Sequence, residues 1–386
     1  MKKIFKTLLM SIAVLLPTNS YAEADTLDID KISAALKSRV THGDAVGVIV
    51  GIIDNDRKYI ISAGQVSKPN GAAPNEQSLF EIGSITKTFT GILLADMVLK
   101  GEVKLDDPAE MYLPEGVTLP TYEGKKITLL NLATHTSALP RMPENFTPKD
   151  MTNPYADYTV QNMYDYLSAH KLTRTIGDVA AYSNLGAGLL GHIMALKAGL
   201  SYEETVKQRI LTPLGMHDTS ITISDQQKPR FTTGHDAAGE PTPYWDLPTL
   251  AGAGALRSNI HDMMLYLSAN MGRNKTPLTP ALEFSHKTRH SFGVLGMEIG
   301  LHWVTKSDSD KTVVWHNGGT GGYRTFTGFD QKNNRGVVVL SNSNDNSDAI
   351  GWAVLNNDIA TIVAEAPKVI LSKGKIAELV GEGLTR

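Results

Sequence analysis

After residue 28, apolar positions in IDKISAALKSRV recur every three or four residues, the period of an amphipathic helix. AVGVIVGIID and RKYIISAG follow, two runs of strand composition separated by Asn55-Asp56, and they predict a hairpin. SITKTFTGILLADMVLKG returns to the helical period and closes at Gly101, a residue suited to the left-handed turn after a helix. From about residue 105 to 290 the spacing stays mostly helical, broken by the Pro/Gly-rich loops LPRMPENFTPKDMTNP and DAAGEPTPYWDLP. Strand patterning resumes in IGLHWVTK, KTVVWHNG, YRTFTGFD and RGVVVLSN, and IGWAVLNNDIATIVAEA predicts a last helix.

Strands at both ends and helices between them imply an α+β fold with a discontinuous layout. The hairpin and the last strands form one antiparallel sheet flanked by the terminal helices, over residues 23–85 and 290–386. Residues 86–289 form a largely helical second domain, and the helix beginning near Ser84 sits where the two meet, the usual place for a cleft. A chain of 386 residues exceeds one ordinary compact core, in keeping with two packed units. No internal repeat or low-complexity block interrupts the pattern.

Composition adds the compartment. Lys2, Lys3 and Lys6 precede the apolar run TLLMSIAVLLP, and Ser20 and Ala22 occupy the small-residue positions of a cleavage site. This predicts a secretory signal peptide over residues 1–22, cut after Ala22, because the apolar run is short for a membrane span. No later stretch is long and apolar enough to span a membrane, so the expected location is periplasmic or secreted. There are no cysteines, which excludes disulfides, thiol nucleophiles and a lipid anchor on cysteine. A net charge of -3 and the absence of a basic stripe give no nucleic-acid footprint.

The chemistry is carried by three short words. Ser84 and Lys87 lie three residues apart, on one face of a helix. A serine hydroxyl needs a base to become a nucleophile, and a lysine serves if desolvation or nearby cations lower its pKa. The same spacing recurs at Ser168/Lys171 and Ser372/Lys375, but only the first copy follows a buried-type word, LFEIGS, and opens the most apolar helix after the signal. Tyr182-Ser183-Asn184 precedes a Gly-rich helix; a phenol near an ammonium can be held ionised or can relay a proton, and the amide two residues on can hold a substrate carbonyl. His316-Asn317-Gly318, followed by Gly319, ends a strand. Its glycines let a substrate backbone lie alongside, and its histidine places a polar, potentially cationic group in the same cleft. His135, His217, His235, His261 and His302 show no metal-ligand spacing and are expected to be satisfied structural residues; no metal or cofactor is called for. Asn342, Asn344 and Asn346 could reach a substrate carboxylate, though a plain polar loop is the simpler reading.

In order and placement, SITK, YSN and HNG resemble the three active-site motifs of the penicillin-recognising serine hydrolases: class C β-lactamases, low-molecular-mass D-Ala-D-Ala carboxypeptidases and β-lactamase-like esterases. ITLLNLATHTSALPR and ILTPLGMHDT are similar to further stretches of that family, and the resemblance covers roughly residues 30 to 365. It implies an α/β sandwich with an all-helical domain and the site between them. It also implies that Ser84 is acylated, that Lys87 helps take its proton, and that Tyr182 is the general base and proton relay. Asn184 would contact the substrate amide, and the backbone N–H groups of Ser84 and Gly319 would form the oxyanion hole. His316 departs from the Lys-Thr-Gly usual in class C β-lactamases; His-x-Gly is more familiar among D-amino-acid peptidases and esterases. The expected substrates are small-molecule β-lactams, peptidoglycan peptides or esters. A carboxylesterase and a penicillin-binding module with little turnover are the alternatives; joint retention of Ser84, Lys87 and Tyr182 argues against the latter, since binding alone needs no proton relay.

Overall fold

The structure, a computed structural model, describes residues 26–293 and 296–363. The signal-peptide reading and the Ser372/Lys375 pair lie outside the described residues.

Eight strands form one antiparallel sheet. In chain order they are β1 (Gly47–Asp54), β2 (Arg57–Gly64), β3 (His290–Ser291), β4 (Met297–Ile299), β5 (Val304–Ser307), β6 (Thr312–Gly319), β7 (Arg324–Asp330) and β8 (Arg335–Ser341). Their spatial order is β2-β1-β8-β7-β6-β5-β4-β3. The first hairpin therefore pairs with the last strand inside the sheet, where Val48 pairs with Ser341 and Asp54 with Arg335. Asn55 takes the left-handed conformation (φ 52°) at the tip of the first hairpin, a role asparagine fills at low steric cost.

The continuous apolar run of β1 follows from having both faces covered. Val48, Val50 and Ile52 pack with Val337, Val339 and Phe326 under α1 (Ile29–Thr41) and the helix Ser347–Asn356. Ile49 and Ile53 point the other way, into a larger core shared with the helical region. That second core runs without a break from the sheet through α2 (Thr86–Leu99) to α3 (Val160–Ala169), α4 (Asn184–Ala198) and α5 (Ile260–Asn270). At the centre of the molecule, α2 has twelve of its fourteen residues buried, which explains why it is apolar on all sides. Its buried hydroxyls are satisfied: Thr88 Oγ1 lies 2.7 Å from the Tyr266 hydroxyl, and Thr90 Oγ1 donates to the Gly252 carbonyl at 2.8 Å.

Three elements differ from their sequence patterns. IGLHWVTK is two strands rather than one, because His302 takes φ 62° and turns the chain between β4 and β5. The last helical pattern breaks at Asn357 (φ 52°) into Ser347–Asn356 and a short turn, Ala360–Val363. Ser84 precedes α2 in a 3-10 turn, Gly83–Ile85, rather than opening the helix itself. Among the described residues no helix is long and apolar enough to cross a membrane.

Candidate active site

The segment Phe80–Ser84 is clamped from several sides. Phe80 and Glu81 pair with Ser258 and Arg257, the Ile82 N–H donates to the Leu256 carbonyl at 3.0 Å, and Thr325 Oγ1 of β7 donates to the Ile82 carbonyl at 2.9 Å. Gly83 follows at φ +49°, where a side chain is disfavoured, and a Cβ there would lie 2.7 Å from the Gly319 nitrogen. A Cβ on Gly318 would lie 2.1 Å from the Ile82 carbonyl oxygen. The two glycine requirements have one cause: the backbone carrying Ser84 rests directly on the end of β6.

That end of β6 has a free edge. Pairing with β5 covers Thr312 to Trp315 and stops there, whereas pairing with β7 continues to Gly319. His316 to Gly319 thus present one side of their backbone without a strand neighbour, as an extended substrate would require.

Ser84 is half-buried, and neither it nor Ile85 caps α2 through its side chain. Its hydroxyl instead receives a hydrogen bond from Lys87 Nζ at 2.9 Å. Lys87 is fully buried, its ammonium end also donates to the Ala253 carbonyl at 2.6 Å, and among the described residues no carboxylate pairs with it. Burial, with a smaller contribution from the Arg141 charge, holds its pKa well below the ordinary lysine value. The answering carbonyl comes from 166 residues away, and no local pattern announces it.

Tyr182 faces this pair, with Lys87 Nζ 4.8 Å from its ring centroid. Burial pushes the phenol up to about 12, against the opposing pull of the Ser84 hydroxyl and Arg141. Of the two states the sequence leaves open, desolvation disfavours the ionised one and outweighs the nearby cations. Ser183 Oγ accepts from Gly186 N–H and caps α4, so Asn184 is free of that duty and stands half-buried in its first turn. The Asn184 amide lies 3.7 Å from Met142 Sδ.

His316 lies on the Ile82 side of β6, its ring 6.4 Å from that of Tyr182. Only 3% of it is exposed. Burial and the neighbouring Lys87 push its pKa down to about 3, which favours the neutral of the two states the sequence leaves open. Its Nδ1 lies 2.6 Å from the Asn317 carbonyl oxygen, as donor. Ser84, Lys87, Tyr182, Asn184, His316, Gly318 and Gly319 are therefore brought together where the end of β6 meets α2 and the loop before α4.

Other candidates separate from it. Ser168 bonds to the Thr118 backbone at the exposed end of α3. Asn342 Nδ2 ties three carbonyls, of Gln65, Val66 and Thr233, while Asn346 caps the helix Ser347–Asn356; both are structural. Asn344 donates its backbone N–H to the His235 carbonyl at 3.1 Å.

His235 fits its structural role, with Nε2 accepting from Lys68 N–H and Nδ1 meeting the Asn342 carbonyl. His135 and His302 do not. They lie under Tyr182 with ring centroids 4.9 Å apart, and His135 Nε2 and both His302 nitrogens are buried without partners. His135 Nδ1 accepts the Ser183 N–H at 3.1 Å and its ring packs 4.7 Å from that of Tyr182, so it fixes the loop and the phenol together. Among the described residues no group of histidines and carboxylates is placed to hold a metal ion. Arg141 was also without a signal of its own: it ends the stretch ITLLNLATHTSALPR, yet its guanidinium lies 5.0 Å from the Tyr182 ring centroid.

Comparison with known proteins places the chain in a family. A family model described as Beta-lactamase matches residues 32–361. The D-alanyl-D-alanine-carboxypeptidase/endopeptidase AmpH of Escherichia coli (strain K12) is 32% identical over 310 residues, covering 77% of this chain and 79% of that protein. A Pseudomonas fluorescens beta-lactamase is 28% identical over 349 residues, covering 81% of this chain and 93% of that protein. The crystal structure of a beta-lactamase/D-alanine carboxypeptidase from Yersinia pestis superimposes with a TM-score of 0.74 at 25% identity, over 88% of this chain and all of that one (100%).

Proposed function

The chain belongs to the beta-lactamase family and is a serine hydrolase, and from that premise we propose that it is an exported enzyme that forms an acyl-enzyme on Ser84 with β-lactams or D-Ala-D-Ala peptides. One observation carries the reading: a buried lysine without a counterion, 2.9 Å from the serine hydroxyl. Burial holds the pKa of a lysine so placed well below the ordinary value, which favours the neutral amine that can accept a proton.

In this mechanism Ser84 Oγ attacks the substrate carbonyl while its proton passes to Lys87. The developing oxyanion is met by the backbone N–H groups of Ser84 and Gly319, which the Gly83–Gly319 contact keeps adjacent. Tyr182, protonated at rest, passes a proton to the leaving group and is restored from Lys87. Asn184 holds the substrate amide on one wall, and the free edge of β6 holds the backbone on the other. Water then repeats the sequence in reverse to release the acid. The amino-terminal signal-like run supports export of the mature chain.

An esterase reading has one observation in its favour: a neutral His316 stands where a permanent cation would attract an anionic substrate. Intact-mass measurement through time after adding a penicillin separates these readings. A lasting adduct of one penicillin identifies a peptidase, a transient one a β-lactamase, and none an esterase. In each case Ser84→Ala abolishes hydrolysis of a neutral nitrophenyl ester, and Ser168→Ala leaves it intact. Wild-type turnover by Ser84→Ala would refute the assignment of the nucleophile.

A further inference from the structure

The geometry points to Arg141 as a specificity-determining residue that anchors a carboxylate of the substrate at the helical wall of the cleft. The inference rests on the acyl-enzyme reading and adds to it where the anionic group of the substrate is held.

Four observations converge. First, Arg141 is exposed, and among the described residues its guanidinium makes no ion pair and no hydrogen bond. Second, its position is nonetheless defined. Its carbonyl accepts the N–H groups of Asn184 at 3.0 Å and Leu185 at 3.2 Å, which binds it to the loop that carries Tyr182. Third, the guanidinium lies 5.0 Å from the centroid of the Tyr182 ring, the same ring that has Lys87 Nζ at 4.8 Å. The aromatic ring orients the planar cation and leaves its N–H groups for a ligand. Fourth, the donors on the opposite wall are already engaged: His316 is buried and donates its Nδ1–H to the Asn317 carbonyl, and Arg324, beside Gly319, gives its Nη1 to the Thr320 and Tyr323 carbonyls.

A planar guanidinium with its donors free matches a carboxylate in two-pronged fashion, which a lysine at the same place would not reproduce. A substrate laid along the free edge of β6 with its carbonyl at Ser84 has the helical wall across from it. A carboxylate on a side branch or at a chain end of that substrate can then meet Arg141 without displacing any protein–protein contact. The fitting substrate class is an anionic peptide or lactam rather than a neutral ester.

The test compares Arg141→Gln and Arg141→Lys with the wild type on two matched pairs. One pair is a penicillin and its methyl ester. The other is two nitrophenyl esters whose acyl chains end in a free carboxylate or in its methyl ester. Because loss of Arg141 also alters the field at Lys87 and Tyr182, the measured quantity is the ratio of kcat/KM for the acid to that for the ester, in which the common proton chemistry cancels. Arg141→Gln should lower that ratio about tenfold in at least one pair, chiefly through KM, and Arg141→Lys should recover part of it. Raising the salt should shrink the wild-type ratio and leave that of Arg141→Gln unchanged. Ratios equal to wild type in both pairs, or equal losses on acid and ester, would overturn the assignment. Failure of the underlying acyl-enzyme reading would show separately, as retained turnover of the neutral ester by Ser84→Ala.

Discussion

The neutral state of His316 has a measurable consequence for stability against acid. In the unfolded chain an imidazole titrates at about 6.5. In the folded protein burial and Lys87 push His316 down to about 3. Between those values the unfolded state binds a proton that the folded state refuses, so this group's contribution to stability falls as the pH falls. From about pH 7.5 to about pH 4.5 the loss is two log units of proton binding, or ~3 kcal/mol. The figure depends mainly on the unfolded value, because the folded one lies well below the working range.

Replacing the ring by an amide, His316→Gln, removes this term. Stability of both proteins is measured by urea unfolding at the two pH values, followed by tryptophan fluorescence. The quantity compared is the change with pH, so any cost of the amide itself cancels. So do other buried groups: His135 and His302, also pushed down by burial, work in the same direction, and Glu81, pushed up to about 7 by burial, works in the opposite one. The variant should lose ~3 kcal/mol less than the wild type on acidification. A cationic His316 would give the other sign, with its pKa raised and the wild type losing less than the variant. Equal losses in the two proteins would refute burial as the cause and reopen the position to a charged role.

Two further outcomes follow from the same site. Lys87→Met keeps the stem of the side chain and removes an uncompensated buried amine; it should abolish turnover while raising stability by ~1–2 kcal/mol in urea unfolding, despite the hydrogen bonds lost at Ser84 and Ala253. Gly318→Ala would force a Cβ to 2.1 Å from the Ile82 carbonyl, so β6 must retreat from Ser84; kcat/KM should fall about 100-fold and stability by about 1–3 kcal/mol, and wild-type kinetics would disprove the close contact.

Much of this arrangement was legible in the chain itself. The runs of strand composition at either end pair in one antiparallel sheet, and Ser84, Lys87, Tyr182 and the His316–Gly319 strand end come together. What escaped has physical reasons. The split of IGLHWVTK depends on His302 adopting a left-handed conformation, and apolar periodicity carries no sign of it. The protonation states of Tyr182 and His316 stayed open because proximity to charge shows in motif spacing, whereas the depth of burial that outweighs it is a property of the finished packing. Arg141 and the Ala253 carbonyl belong to no spaced pattern. His135 and His302 were expected to be satisfied like His235, but their rings meet 4.9 Å apart from distant parts of the chain, a contact that no local spacing announces.

The pairing of the first hairpin with the last strand also bears on when the protein can become reactive. Ser84, Lys87 and Tyr182 all emerge in the first half of synthesis, but the carbonyl of Ile82 waits for a hydroxyl 243 residues further on, and Val46 for one 297 residues further on. Such long loops must close before these contacts repay the entropy, so the order of events favours local helices first and the sheet last. A nascent or partly threaded chain therefore carries its nucleophile without the second wall that would make it one. In the proposed mechanism, acylation of Ser84 therefore waits on the last strands to arrive.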